Sequence, residues 1–169
     1  MSENETPSTT DNIRIEVYDK TDAPDLASAR EADPEQVYET HNTTRGAFHT
    51  EIVEALNGTT PDLTVDSLAL GDSTLATADV SDGSPLGNEL FRKGFTDSFV
   101  SGATFTASTF IDSTEANGLT IEEASLVSEQ SNNDLPVNRF LVTDPSGLLD
   151  PKESDSTVTI DVEIAVSDA

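Results

Sequence analysis

The sequence predicts a mainly β fold with one helix (α+β): an antiparallel, two-sheet, sandwich-like domain carrying an extended N-terminal arm. Three observations predict it. Apolar residues alternate with polar ones at Ile13, Ile15 and Val17, and again at Val158, Ile160, Val162, Ile164 and Val166, the period of a half-buried strand. Turn residues recur between such runs, at Ser101-Gly102, Asn117-Gly118, Asn132-Asn133-Asp134 and Ser146-Gly147. A four-residue apolar period is confined to one segment, Arg45–Asn57.

In chain order, residues 1–12 are polar apart from Met1 and predict a mobile arm. Residues 13–40 predict an extension: a short strand at Ile13–Val17, then short helical turns after Pro24 and Pro34, since proline suits a first helical position. Residues 41–169 predict the folded helix plus β-domain. Its helix presents Phe48, Ile52 and Leu56 on one face, with Thr43 or Thr44 as the cap and Asn57-Gly58 as a left-handed stop. Strands are expected at Val65–Leu70, Glu89–Phe95, Ala103–Asp112, Ile121–Val127, Arg139–Thr143 and Thr157–Val166. The small-residue loop Asp72–Pro85 is expected to be either exposed and mobile or ordered by a neighbouring subunit.

Charge is the second clue. Asp and Glu number 33 against 8 Lys and Arg, a formal net charge of −25 on 169 residues. In ordinary buffer such self-repulsion strains a compact state. Disorder predicts acids in blocks with few β-branched residues, whereas these acids are scattered between regularly spaced Val, Ile, Leu and Phe. Roughly molar salt shortens the Debye length to about 3 Å and removes most of the repulsion. The composition therefore points to a halophilic protein with a haloarchaeal host. Nucleic-acid mimicry needs charges regularly spaced along one surface; no nucleic-acid partner is expected.

Absence of Cys removes thiol catalysis, thiolate metal sites and disulfides. No basic and apolar leader opens the chain and no apolar run approaches a membrane span. Synthesis in the host cytoplasm, without membrane insertion, is the expectation.

Catalytic chemistry finds little footing. His41 and His49 are eight residues apart, which on a continuous helix rotates them by roughly 80° and separates them by about 12 Å, so they form no metal pair. No Gly-x-Ser-x-Gly elbow occurs. Asp144, Asp150, Glu153 and Asp155 lie in one loop flanking the last strand and are the candidate oxygen ligands for a structural cation such as Ca²⁺, Mg²⁺, Na⁺ or K⁺. Their spacing matches no EF-hand, and a solvated acidic loop is the ordinary reading. No other cofactor is expected. Sequons at Asn4, Asn42 and Asn57 are common by chance in so Thr-rich a chain.

Arg92-Lys93 is the one adjacent basic pair and suggests an ion pair, either between subunits or within the chain. Phe91, Phe95, Phe99, Phe105 and Phe110 cluster mid-chain as core, with one or two of them available to anchor an interface. Ile13, Ile15, Val17, Arg92, Lys93 and Phe95 are accordingly the interface candidates.

Several of these pieces stand in a familiar order. Leu68-Ala-Leu-Gly71 leads through the loop Asp72–Pro85 to Leu86-Gly-Asn-Glu-Leu-Phe-Arg-Lys93. Asn42–Arg45 opens the helix that ends at Asn57-Gly58, Glu115–Ala124 reads Glu-Ala-Asn-Gly-Leu-Thr-Ile-Glu-Glu-Ala, and Pro151-Lys152 precedes the final strand. Over about three quarters of the chain this resembles small tail-fibre or baseplate-type structural proteins of tailed viruses. The resemblance implies a non-enzymatic virion protein of an archaeal virus, located in the tail and acting in tail assembly or host attachment. It implies trimeric or hexameric assembly with copies of itself and contact with other virion proteins. A capsid decoration or turret protein is the alternative within that class. A soluble host ligand-binding module is the alternative from another class; scarce aromatics, with no Trp and only Tyr18 and Tyr38 as Tyr, argue against a glycan ligand.

Overall fold

A computed structural model describes residues 8–42, 44–58, 63–81, 84–129, 134–142, 149 and 151–167. The described residues form two antiparallel sheets packed face to face, as the alternation predicts. The first sheet has the order β2-β1-β10-β6-β5, from β1 (Ser8–Asp19), β2 (Gln36–Asn42), β5 (Asp97–Ser101), β6 (Thr104–Ile111) and β10 (Ser156–Ser167). The second runs β4-β3-β7-β8, from β3 (Ser67–Gly71), β4 (Glu89–Gly94), β7 (Glu123–Ser128) and β8 (Leu135–Pro136), with β9 (Phe140–Leu141) also pairing with β7.

The core lies between the sheets. Ile13, Ile15 and Val17 stand beside Val162, Ile160 and Val158 across the β1–β10 ladder and meet Leu68, Leu70 and Leu126 from the other sheet. The residues expected as an extension before residue 41 thus belong to the first sheet. Ile13, Ile15 and Val17 are buried in the chain's own core and offer no surface to a neighbour. The physical reason is pairing: β1 is twelve residues long and hydrogen-bonded on both sides, to β10 and β2. Within the expected mobile arm, residues 8–12 belong to that strand, and residues 1–7 lie outside the described residues.

Between β1 and β2, α1 (Leu26–Ala29) follows Pro24 as predicted, capped by Asp25, whose carboxylate accepts the Ser28 N–H at 2.8 Å. It packs Ala29 over Tyr18 and Phe110 on the outer face of the first sheet. After Pro34 the chain enters β2, not a helical turn. Val37, Tyr38 and Thr40 are strand formers, and pairing with β1 settles the matter.

The helix α2 (Gly46–Leu56) begins one residue after the predicted start and is capped at its C-terminus by Asn57, followed by Gly58 at φ +75°. Arg45 occupies the cap position without a side-chain cap bond, and Thr44 bonds elsewhere; Thr43 lies outside the described residues. No α2 residue is buried. Phe48 packs against the core, but Val53 and Leu56 are 65% and 84% exposed. The apolar stripe is real; the domain covers it partly, at Phe48 and Ile52, and leaves Leu56 open.

β5 was not separable from the sequence because every residue of Asp97-Ser98-Phe99-Val100-Ser101 is exposed and the alternation that marks a buried face is missing. It forms a hairpin with β6 through Gly102-Ala103, with Gly102 at φ +61°. The expected strand at Arg139–Thr143 shrinks to β9, and Thr143 lies outside the described residues, as do the turn residues Asn132, Asn133, Ser146 and Gly147.

Candidate interaction surface and the polar clasps beneath it

Among its described residues, the Asp72–Pro85 loop is held by the chain itself at Ser73 and Thr77, through a buried ion pair that motif reading did not single out. Glu123 on β7 and Arg139 before β9 are both fully buried, with Arg139 Nε 2.7 Å and Nη2 2.6 Å from Glu123 Oε2. Glu123 also accepts the backbone N–H groups of Gly87 at 3.0 Å, Asn88 at 2.8 Å and Ser73 at 3.3 Å. Arg139 in turn donates to Thr77 Oγ1 and the Ser73 carbonyl at 3.2 and 3.4 Å. A buried carboxylate needs such donors on all its lone pairs, and here they come from both ends of the loop, drawing it onto the sheet.

Gly71 and Gly87 line this clasp because nothing larger fits. A Cβ on Gly71 meets the Asn88 carbonyl oxygen and lies 2.6 Å from Glu123 Oε1; one on Gly87 meets Ser73 Oγ. Gly71→Ala is expected to lower stability by about 1–3 kcal/mol, the usual cost of overpacking, read as a lower urea midpoint at unchanged slope.

A second clasp joins the Asn117-Gly118 turn to Pro151-Lys152. Lys152 is fully buried, and its ammonium donates to the carbonyls of Asp112 (3.1 Å), Ser156 (3.1 Å) and Glu153 (3.3 Å) and to Asn117 Oδ1 (3.0 Å). The backbone closes the same contact, Gly118 N–H to Lys152 O and Lys152 N–H to Leu119 O. Burial lowers the ammonium below the ordinary lysine value, with Asp112, Glu115 and Asp155 pulling it back.

Asp11 is buried as well, and accepts from Asn138 Nδ2 at 3.0 Å and Thr44 Oγ1 at 3.2 Å. Asn138 passes the network on by accepting the Leu126 N–H at 2.8 Å. Burial raises the Asp11 carboxyl, opposed by the two hydrogen bonds and by the charge of His49. A carboxyl raised on folding contributes stability below its unfolded value, and this is lost as pH climbs through its folded value. Asp11→Asn keeps both hydrogen bonds, with Oδ1 accepting from Asn138 and Nδ2 donating to Thr44. It is expected to raise the melting temperature at pH 7, with the gap closing as the pH falls toward 4; a melting series from pH 7.5 to 4 checks it.

The remaining interface candidates have partners within the chain. Arg92, on the outer side of the second sheet, bonds Glu89 in bidentate fashion at 2.8 and 2.7 Å and Asp134 at 2.7 Å, with Glu129 at 3.6 Å. Glu89 first, and then Asp134, raise its pKa. Lys93 pairs with Glu115, and Phe95 packs against Phe105, with ring centroids 6.2 Å apart and planes tilted by 59°. Of the two readings of Arg92-Lys93, the structure therefore carries the intrachain one. Phe110 is core and Phe99 is exposed.

Of the candidate cation ligands, Glu153 and Asp155 are exposed, and Asp144 and Asp150 lie outside the described residues. Among the described residues no cluster of three or more His, Cys, Asp or Glu is placed to hold a metal.

An open cleft of about 630 Å³ lies across the outer face of the first sheet. Arg14 and Arg30 line it, as do His41, Asp161, Glu163 and Phe99. Its cations are matched in place, Arg14 with Glu16 and Glu39 and Arg30 with Asp161 at 3.1 Å, and His41 Nδ1 is hydrogen-bonded with Asn12 Oδ1 at 2.9 Å. The cleft thus offers hydrogen bonding and charge pairing. Comparison of the chain with protein-family models, with curated protein sequences and with solved structures finds no match.

Proposed function

We propose that this protein is a non-enzymatic structural component of a virus particle, a tail-fibre or baseplate protein of a tailed virus with a halophilic archaeal host. The observation that carries the reading is where the motif residues meet. Leu68–Gly71 and Leu86–Lys93 close around Glu123, at the end of the Glu115–Ala124 motif, and that motif's Asn117-Gly118 closes on Lys152. Residues separated widely in sequence thus share two buried clasps, and each has a packing role. A motif spent on holding a fold together suits a protein whose task is assembly.

Two further features support it. The buried acid and base, Glu123 and Arg139, are shut away from solvent and bonded to each other, which is poor placement for catalysis. The surface carries a large negative charge that approximately molar salt screens. In this reading the chain assembles with copies of itself in three-fold or six-fold symmetry and with other virion proteins, and binds no nucleic acid.

The test is mass spectrometry of purified, disrupted particles with heads and tails analysed separately. Recovery in the tail fraction, at a fixed ratio to the tail-tube protein, is the expected result. Recovery with heads moves the protein to a decoration or turret role, and absence from both fractions overturns the virion reading.

A further inference from the structure

Sheet edges are templates for strand pairing unless they are blunted, and among the described residues β5 is the edge strand whose every residue is exposed. β4 carries Glu89, Arg92 and Lys93 and lies beside the register shift at Leu70/Gly71. β8 is two residues long and ends in Pro136. β2 displays Glu39 and His41. β5 differs: all five residues are exposed, Asp97 is its one charge, and it holds neither Lys nor Pro. Phe99 and Val100 are 53% and 71% exposed, on opposite faces of this strand.

The hairpin shows which backbone groups of β5 are open. Ser101 and Thr104 flank a two-residue loop, and the pair that closes such a loop exchanges both of its hydrogen bonds. Alternation then makes Phe99–Thr106 and Asp97–Ser108 the other bonded pairs. The N–H and C=O of Ser98 and Val100 therefore point away from β6 to the open edge.

We propose that β5 pairs antiparallel with β5 of a second copy of this chain, across a two-fold axis centred on Phe99. In this register Ser98 faces the partner's Val100, so every outward group on Ser98 and Val100 is bonded. Phe99 meets the partner's Phe99 at the close, non-bonded position, and Asp97 faces the partner's Ser101, so like charges are not opposed. A one-residue slip sets outward groups against groups already used by β6. Centring on Ser98 or Val100 keeps a single bonded pair within the strand. The register is self-complementary, as an isologous contact must be, and on a protein of net charge −25 it joins the copies along a strand with one acid. The contact rests on β5 geometry alone and is independent of the virion assignment; with three-fold or six-fold rings it generates dihedral assemblies.

Two measurements on the full chain in molar KCl test it. The protein has no Cys, so Phe99→Cys introduces one thiol; a non-bonded pair has Cα atoms about 4.5 Å apart, within disulfide reach. Phe99→Cys is expected to give a covalent dimer on mild oxidation. Ser101→Cys is not, since its copy lies four residues away along the strand, about 13 Å. Separately, Ser98→Pro removes an outward N–H, which an edge strand tolerates. It is expected to weaken the dimer about 30-fold by sedimentation equilibrium without changing circular dichroism, or melting at concentrations where the chain is monomeric. A protein that is monomeric throughout, or a dimer that ignores Ser98→Pro and cross-links equally at 99 and 101, overturns the proposal.

Discussion

Replacing Arg139 by Met is expected to lower the unfolding free energy by about 3–5 kcal/mol, because it strands a fully buried carboxylate. The side chain removed is itself fully buried and lies 2.6 Å from Glu123, so solvent does little to soften the loss. The three backbone donors to Glu123 remain, but they also hold the loop at Ser73 and at Gly87-Asn88, and a displaced or protonated Glu123 releases both attachments. Urea unfolding gives the stability change, and limited proteolysis should show new cleavage between residues 72 and 88. The double variant Glu123→Gln, Arg139→Met removes both charges and is expected to recover more than half of the loss. A loss of under 1 kcal/mol for the single variant contradicts the clasp. By contrast, Arg92 sits in a partly exposed set of acids; Arg92→Gln should shift stability by about 0–1 kcal/mol, and by less in high salt.

Lys152→Met is expected to cost about 2–4 kcal/mol. It leaves the oxygens of Asp112, Asn117, Glu153 and Ser156 without the ammonium they share, and an unsatisfied buried acceptor costs about 1–3 kcal/mol. The total stays below a simple sum because the Asp112 and Glu153 carbonyls also accept other backbone N–H groups, from Glu115 and Ser156. Hydrogen exchange localises the effect: the Gly118 amide, bonded to Lys152 O at 2.9 Å, should lose protection. Full protection there, with unchanged urea unfolding, removes Lys152 from the list of structural anchors.

Both residues show how a chain this acidic uses its few cations. Arg139 and Lys152 are spent inside the fold, where the low dielectric makes each one matter, and Arg92, Lys93, Arg14 and Arg30 lie in ion pairs nearer solvent. Removing salt should therefore act on the scattered surface acids while leaving the Glu123–Arg139 pair nearly unchanged.

Alternation was enough to read β1 and β10, because a strand with one buried face writes that period into the sequence whatever its partner, and runs of strand-forming residues between turn signals marked β3, β4, β6 and β7, and with them the two-sheet architecture. Turn residues were equally legible: Gly58, Gly102 and Gly118 all take the positive φ that glycine permits. Elements whose side chains are not sorted by burial were not legible. β5 is wholly exposed, and β2 became a strand because β1 offered it a ladder.

The candidate site divides the same way. Alternation on β1 already set Arg14 and Glu16 opposite Ile13 and Ile15, so a polar outer face was implicit in the sequence. Which acid among 33 is buried was not, since Glu122 and Glu123 are neighbours of one type and only strand pleat and the approach of Arg139 separate them. Composition and period, properties of the chain taken locally, determined the fold class, the charge and the turns. Pairing partners, burial of single charges and the open edge at β5 were decided by tertiary structure, because each depends on what a residue meets from a distant part of the chain.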